Sequence, residues 1–446
     1  MLFRERKILE EELPVMRLKE GIFLNMKSQK PAAYASAVLI LVFFLLVTIG
    51  SYIKIKTGVV ISFTAISFVL FLLDYRRMGF SFFKSPMTYL WISYALVGVL
   101  STVFVAGSRD LYILYSQVSF TIILFVLAGY TDGDSFFRCY RIFVLIFVIA
   151  AFYEIAAGKV LFAFLKKGTQ FALVDDQAHG ILSIFEYRHY FGCYLLLAFF
   201  SIFYFPEKKW LLNLLYGLLF FAAIIVTFTR SIWIALFVGF FLLLASWFLK
   251  RKKHPASAKS FSIKKRKAFF VTLIVLILVL VSLGVAFRTQ LQSITANVLQ
   301  RLMDINPANG SWFKRTFTLI HGPEYMFRNP SLLPIGGGAG SALRWLETAE
   351  GAQFRGAIDC QYVHTFMETG IIGLAVFLGM LIYAFIRFFR SAHTFEKMMT
   401  LQYIAMAVAF FFFEVVVVNS SVFALWSFVL VGIIWKNPAE GRSAQK

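Results

Sequence analysis

The chain has 446 residues, 60 % of them hydrophobic and 15 % charged, whereas a soluble domain carries about 25 % charge. Apolar runs of about 20 residues recur along its length, each long enough to cross the hydrocarbon core of a bilayer as a helix. They are continuous and do not alternate in period two, which excludes an ordinary soluble globule and a β-barrel and predicts an all-α polytopic membrane protein. The formal net charge of +21 would suggest nucleic acid in a soluble protein; here it is assigned to cytoplasmic loops that orient the helices, and no nucleic-acid partner is expected.

Residues 1–32 are polar, contain five Glu and do not read as a cleavable signal peptide, so they are expected to form a cytoplasmic N-terminal segment. Apolar spans follow near 33–53, 57–74, 88–107, 110–130, 138–157, 189–205, 210–228, 231–249, 269–287, 368–388, 398–418 and 420–435. This divides the chain into membrane helices 1–9 over 33–287, an extracytoplasmic loop over 288–367, helices 10–12 over 368–435 and a cytoplasmic tail over 436–446. The pairs 88–107 with 110–130, 210–228 with 231–249 and 398–418 with 420–435 read as tight hairpins. Of the three cysteines, Cys139 and Cys193 fall in or beside apolar runs and Cys360 in a polar loop, so neither a disulfide nor a zinc spacing is expected.

Orientation follows from residues 250–267, which hold many Lys and Arg and no acid and therefore stay in the cytoplasm. Counting spans outward puts Arg76, Arg77 and Lys84, Lys208 and Lys209, and Arg387, Arg390 and Lys397 on the same side, together with both termini. Two long segments, 158–188 and 288–367, then fall outside. The second holds seven Lys or Arg and five acids, and long loops of this kind usually carry function.

The candidate chemistry clusters on that external side. Arg230, in TFTRSIWIAL, begins a span, where a guanidinium reaches water or pairs with an anion. Arg315 lies in WFKRTFTLIHGPEYMF, a stretch with apolar residues at helical spacing, and Arg328 precedes Asn329-Pro330. The run IGGGAGS over 335–341 follows; glycine turns free backbone amides to approach an anion, and several Arg beside such a turn suit a pyrophosphate better than a metal. Asp359 and His364 lie on the approach to the tenth span, and either suits a general base, with Glu368 at the membrane border. Glu186, Arg188 and His189 sit at the mouth of the sixth span, and Glu414 is an acid within the eleventh. Taken singly, each of these is as well read as a solvated or snorkelling charge.

In order and placement these segments resemble the bacterial O-antigen ligase and polymerase superfamily of membrane glycosyltransferases. TFTRSIWIAL resembles its Arg-Ser segment opening a helix; Arg315 through PEYMFRNPSLLPIGGGAGS resembles its Arg and Gly-rich loop; IDCQYVHTFMETGIIGL resembles its segment entering the next helix, and LSIFEYRHYFGCYL is a weaker fourth match. Asp359 stands where ligases carry His, which makes the chain more similar to a polymerase. The resemblance implies a GT-C-like fold of about twelve transmembrane helices in the bacterial plasma membrane, with the large loop between helices 9 and 10. It implies metal-independent transfer of a glycan from an undecaprenyl-diphosphate carrier to a sugar hydroxyl, in O-antigen, capsule or exopolysaccharide synthesis, with no cofactor. Its partners would be the lipid-linked donor, the acceptor glycan, membrane lipid and other polysaccharide-export proteins. In this scheme Arg230, Arg315 and, more weakly, Arg328 bind the diphosphate, Asp359 or else His364 is the base, and Gln361, Tyr362, Arg188 and His189 lie on the acceptor side.

A transporter or flippase of lipid-linked oligosaccharide shares the twelve-span plan but calls for repeat symmetry and helices broken near the midplane. A non-enzymatic scaffold or receptor is a third reading, which the clustered external arginines disfavour.

Overall fold

A backbone without water to bond must satisfy itself, and an apolar run does so as a helix. The computed structural model describes residues 31–50, 56–73, 83–106, 111–157, 185, 188–227, 229–253, 310–348, 358, 360–411 and 420–434. Among them the secondary structure is helical throughout, with no strand. The helices are α1 (Pro31–Gly50), α2 (Lys56–Leu73), α3 (Pro86–Ser101), α4 (Leu111–Ala128), α5 (Gly133–Ala157), α6 (Arg188–Tyr204), α7 (Trp210–Val226) and α8 (Arg230–Lys253). They continue as α9 (Gly310–Arg328), α10 (Ser341–Glu347), α11 (Gln361–Arg390), α12 (Thr394–Ala405) and α13 (Ser420–Ile434). Single π turns extend α3 over Thr102–Ala106 and α12 over Met406–Phe410.

Among the described residues, five helices are long and apolar enough to cross a membrane: Pro31–Gly50, Pro86–Val105, Gly133–Glu154, Arg230–Trp247 and Gln361–Arg390. Shorter apolar helices stand at Thr57–Leu73, Val118–Ala128, Trp210–Val226 and Ser420–Ile434. A helix therefore lies at each expected span except 269–287, which is outside the described residues, as are residues 1–30 and 435–446. One boundary differs clearly. The tenth span was expected from residue 368, whereas α11 begins at Gln361 and is broken at Gly370.

Two cores organise these helices. The larger is built on α6, α12 and α13; every residue of α13 is buried, as is α6 from Tyr190 to Ser201. Around them α4 packs on α13, α8 on α6 and α12, and α3 and α12 on α11. The outward faces carry bare apolar side chains, such as Leu73 at 78 % and Phe237 at 73 % exposure, as a lipid-facing surface does. The smaller core joins α9 and α10 to the first turns of α11 through Met326, Trp345, Val363, Phe366 and Met367.

One end of the bundle is fastened by polar contacts. Asp132 caps α5, accepting the Ser135 amide at 2.8 Å. Arg141, 1 % exposed, donates to the Phe205 carbonyl at 2.8 Å and pairs with Glu207. Arg387 grips both carboxylate oxygens of the buried Glu396, which also accepts from the Ser391 hydroxyl. The turns preceding α5, α7 and α12 lie together, since Gly133 packs on both Phe205 and Phe395; α6 and α11 end at these turns, so their first residues lie toward the other end of the bundle.

Candidate functional site

The break in α11 builds the site. In an unbroken helix the amides of Ile371 and Ile372 would donate to the carbonyls of Met367 and Glu368. Here Gly370 adopts φ +65° and ψ −164°, which opens both bonds. The Gly-rich loop supplies all four missing partners. Ile371 donates to the Leu333 carbonyl at 2.8 Å and Ile372 to that of Pro334 at 3.2 Å, while Gly337 donates to the Met367 carbonyl at 2.8 Å and Gly338 to that of Glu368 at 3.0 Å. The approach is close enough to require glycine: a Cβ on Gly370 would lie 2.5 Å from the Pro334 carbonyl carbon and 2.6 Å from the Gly336 nitrogen.

The rest of the loop is equally committed. Ala339 donates to the Thr102 hydroxyl at 2.9 Å and Gly340 to Oε1 of Glu368 at 2.7 Å, and Gly336 closes a turn onto Leu332. Ser101 and Ser341 add hydroxyl bonds to the carbonyls of Glu368 and Met367. The sequence reading of this loop as an anion cradle therefore gives way to another function. Its amides from Gly336 to Gly340 are bonded within the protein, and the loop is a joint that fixes α9 and α10 against α3 and α11.

Beneath the joint lie His364 and Glu368, at 2 % and 7 % exposure. One helical turn apart, they bring Nε2 of His364 within 3.3 Å of Oε1 of Glu368, off the line of a hydrogen bond. Neither ring nitrogen of His364 has a hydrogen-bond partner among the described residues. Glu368, read from sequence as a border charge, is thus a buried carboxylate shared between the loop and an imidazole. Tyr94 of α3 reaches Thr365 on the same face.

The other sequence candidates take separate places. Gln361 opens α11; its amide donates to the Phe411 carbonyl at 2.8 Å, and its buried side chain donates to Thr365 at 3.0 Å. Tyr362 turns its hydroxyl to the Ala407 carbonyl at 2.6 Å. Both therefore tie α11 to α12, with Tyr362 half-buried. Arg230 begins α8, and Arg188 and His189 begin α6. These two helix ends adjoin, because Gly192 of α6 packs on Ile232 of α8. Gln402 of α12 in turn donates to the Cys193 carbonyl at 3.2 Å. Both α6 and α11 thus bond to α12 and its π turn, α6 at Gln402 and α11 at Ala407 and Phe411. Arg328 is exposed and pairs with Glu324, whose carboxyl is held below its usual range by the His321 hydrogen bond first and by Arg328 as well. Arg315 stands seven residues, about two turns, before Gly322, the α9 residue that packs on Val363 and Met367. Asp359, Glu186 and Glu414 lie outside the described residues; Ile358 and Cys360, on either side of Asp359, are both buried.

Sequence reasoning did not anticipate the Glu368–Gly340 bond or the role of Thr102. A glycine inside an apolar run, in METGIIGL, was the available signal for a break. Residues 215–378, from α7 through the first turns after the break in α11, match the family model described as O-antigen ligase. No curated protein matches the chain.

Proposed function

With residues 215–378 an O-antigen ligase domain, and the chain thereby a member of the O-antigen ligase and polymerase superfamily, we propose that it is a polysaccharide polymerase. It moves a glycan from an undecaprenyl-diphosphate carrier to a sugar hydroxyl at the outer face of a bacterial plasma membrane, with both termini cytoplasmic. The observation that carries this reading is the joint. It fixes the loop that follows α9 to the break in α11, beside the buried His364–Glu368 pair, and Gly322 of α9 packs on Val363 and Met367 in the same turns of α11.

The acceptor hydroxyl oxygen attacks the anomeric carbon of the donor, the bond from that carbon to the diphosphate oxygen breaks, and the hydroxyl proton passes to a base. The leaving group departs as an anion. Guanidinium groups set in place beforehand stabilise that charge as it develops, and Arg230 and Arg315 are assigned to it, with Arg328 at the rim. Asp359 is the first candidate for the base. His364 is the second, with the Glu368 carboxylate beside its ring. Arg188, His189, Gln361 and Tyr362 form the acceptor side. No metal is assigned a part.

The test is the lipid-linked glycan of a deletion strain complemented with wild type or with Arg315→Ala. A polymerase leaves single repeat units on the carrier when lost, whereas a ligase leaves long chains. Normal chain length in Arg315→Ala at normal protein level removes Arg315 from the mechanism. Unaltered glycan in the deletion strain itself removes the function.

A further inference from the structure

The exposed face of α9 has no account in the joint. On the face that packs against α11, Thr318, Gly322 and Met326 recur every four residues and are all buried. On the adjoining face Leu319, Ile320 and Phe327 are 45 %, 56 % and 63 % exposed. A water-facing loop helix has no reason to display three large apolar side chains together.

The level of α9 identifies what they meet. Gly322 packs on Val363 and Met367, immediately before the break in α11. Immediately after the break, Ile371 and Ile372 are 51 % and 47 % exposed, and from there twenty residues run to Arg390. Twenty residues match the roughly 30 Å hydrocarbon thickness. The apolar belt also continues past the joint on α3, where Phe104, two residues beyond the Thr102 that holds Ala339, is 74 % exposed. The helix therefore lies at the hydrocarbon boundary and not above it. Its polar flank carries the His321–Glu324–Arg328 chain, the charged face that an interfacial helix turns to the headgroups.

We propose that α9 is an interfacial helix, lying along the membrane surface with Leu319, Ile320 and Phe327 set into the acyl boundary of the bilayer. This rests on the membrane-spanning reading and not on the transferase reading. Within the latter it brings the arginines of α9 to the depth at which a lipid diphosphate lies.

The experiment places single spin labels at Ile320→Cys, Phe327→Cys and, on the polar flank, Glu324→Cys, in full-length protein with Cys139→Ser, in vesicles of phosphatidylethanolamine and phosphatidylglycerol. Collision rates with oxygen and with a polar nickel chelate report depth. The expected result is oxygen-dominated collisions at 320 and 327, about 5–10 Å below the headgroups, and nickel-dominated collisions at 324. Equal access of nickel to all three sites overturns the proposal, because the helix then lies in water. Shielding of 320 and 327 from both reagents also overturns it, because protein then covers the face. Leu319→Cys serves as the second site on that face if either variant fails to accumulate. Glycan transfer is not read in this assay, so its outcome stands apart from that of the proposed function.

Discussion

Replacing Gly370 by alanine tests the joint directly. The glycine holds φ +65° and ψ −164°, a region that costs a residue with a Cβ about 1–3 kcal/mol. Alanine also favours a continuous helix over glycine by about 1 kcal/mol. A straightened α11 recovers its two internal bonds, from Ile371 to Met367 and from Ile372 to Glu368, so the four groups that now face the loop lose nothing by straightening. The loop loses all of its α11 partners. The two effects together shift the balance toward the straight, undocked form by about 2–4 kcal/mol, or roughly 30- to 1,000-fold at about 1.4 kcal/mol per decade. Overlap of the new Cβ with the Pro334 carbonyl moves it further the same way. Hydrogen–deuterium exchange over residues 333–345 reads the shift as faster exchange by that factor, while peptides from α6 and α13 exchange as in the wild type. Glycan transfer falls with it. Unchanged exchange over the loop in Gly370→Ala refutes the coupling between loop and break.

Arg141→Met keeps most of the side-chain volume but removes the donor to the Phe205 carbonyl and leaves Glu207, 16 % exposed, with Arg138 as its cation; losing hydrogen bonds to a charged group costs about 1.5–3 kcal/mol, and an unchanged melting temperature in detergent contradicts this. Glu396→Gln removes the charge that Arg387 grips and lowers stability by about 2 kcal/mol, measured in the same way. Arg315→Ala lowers the rate of transfer by about 100- to 1,000-fold, the usual effect of losing one preorganised donor to developing charge. Arg328→Ala, an exposed partner of Glu324, changes stability by less than about 1 kcal/mol, and its transfer rate stays well above that of Arg315→Ala. Loss of the base lowers transfer by about 100- to 10,000-fold, so comparing Asp359→Asn with His364→Gln at matched protein levels identifies which residue it is.

The helices were legible because each apolar run carries its own signal, independent of anything distant in the chain. The break in α11 was not, because the groups that make it favourable come from far away: Thr102 meets Ala339 across 237 positions, and Gly340 meets Glu368 across 28. A cluster of glycines shows donors but not acceptors, and without acceptors a joint and an anion cradle look the same. Arg141 shows the same limit. A charge within an apolar run implies a partner inside the protein, but the partner, Glu207, is 66 residues on and in a turn. Arg230, Arg315 and Asp359 were legible only as types of residue near a membrane face, since the sequence carries no local signal for how distant helices pack.

The commitment of the loop amides also constrains the chemistry. A loop that binds phosphate must keep its amides free, and Gly336 through Gly340 do not. In the proposed reaction, charge on the departing diphosphate therefore falls to side chains, and guanidinium groups suit it because their planar donors engage two oxygens at once. Long arginine side chains are mobile, and a mobile donor stabilises a transition state less than a fixed one. The rigidity lost in the side chain has to be supplied by the backbone that carries it. A break in an apolar helix filled on all four backbone groups by the Gly-rich loop supplies it, because α9 is then fixed to the bundle through main-chain bonds and its own small core.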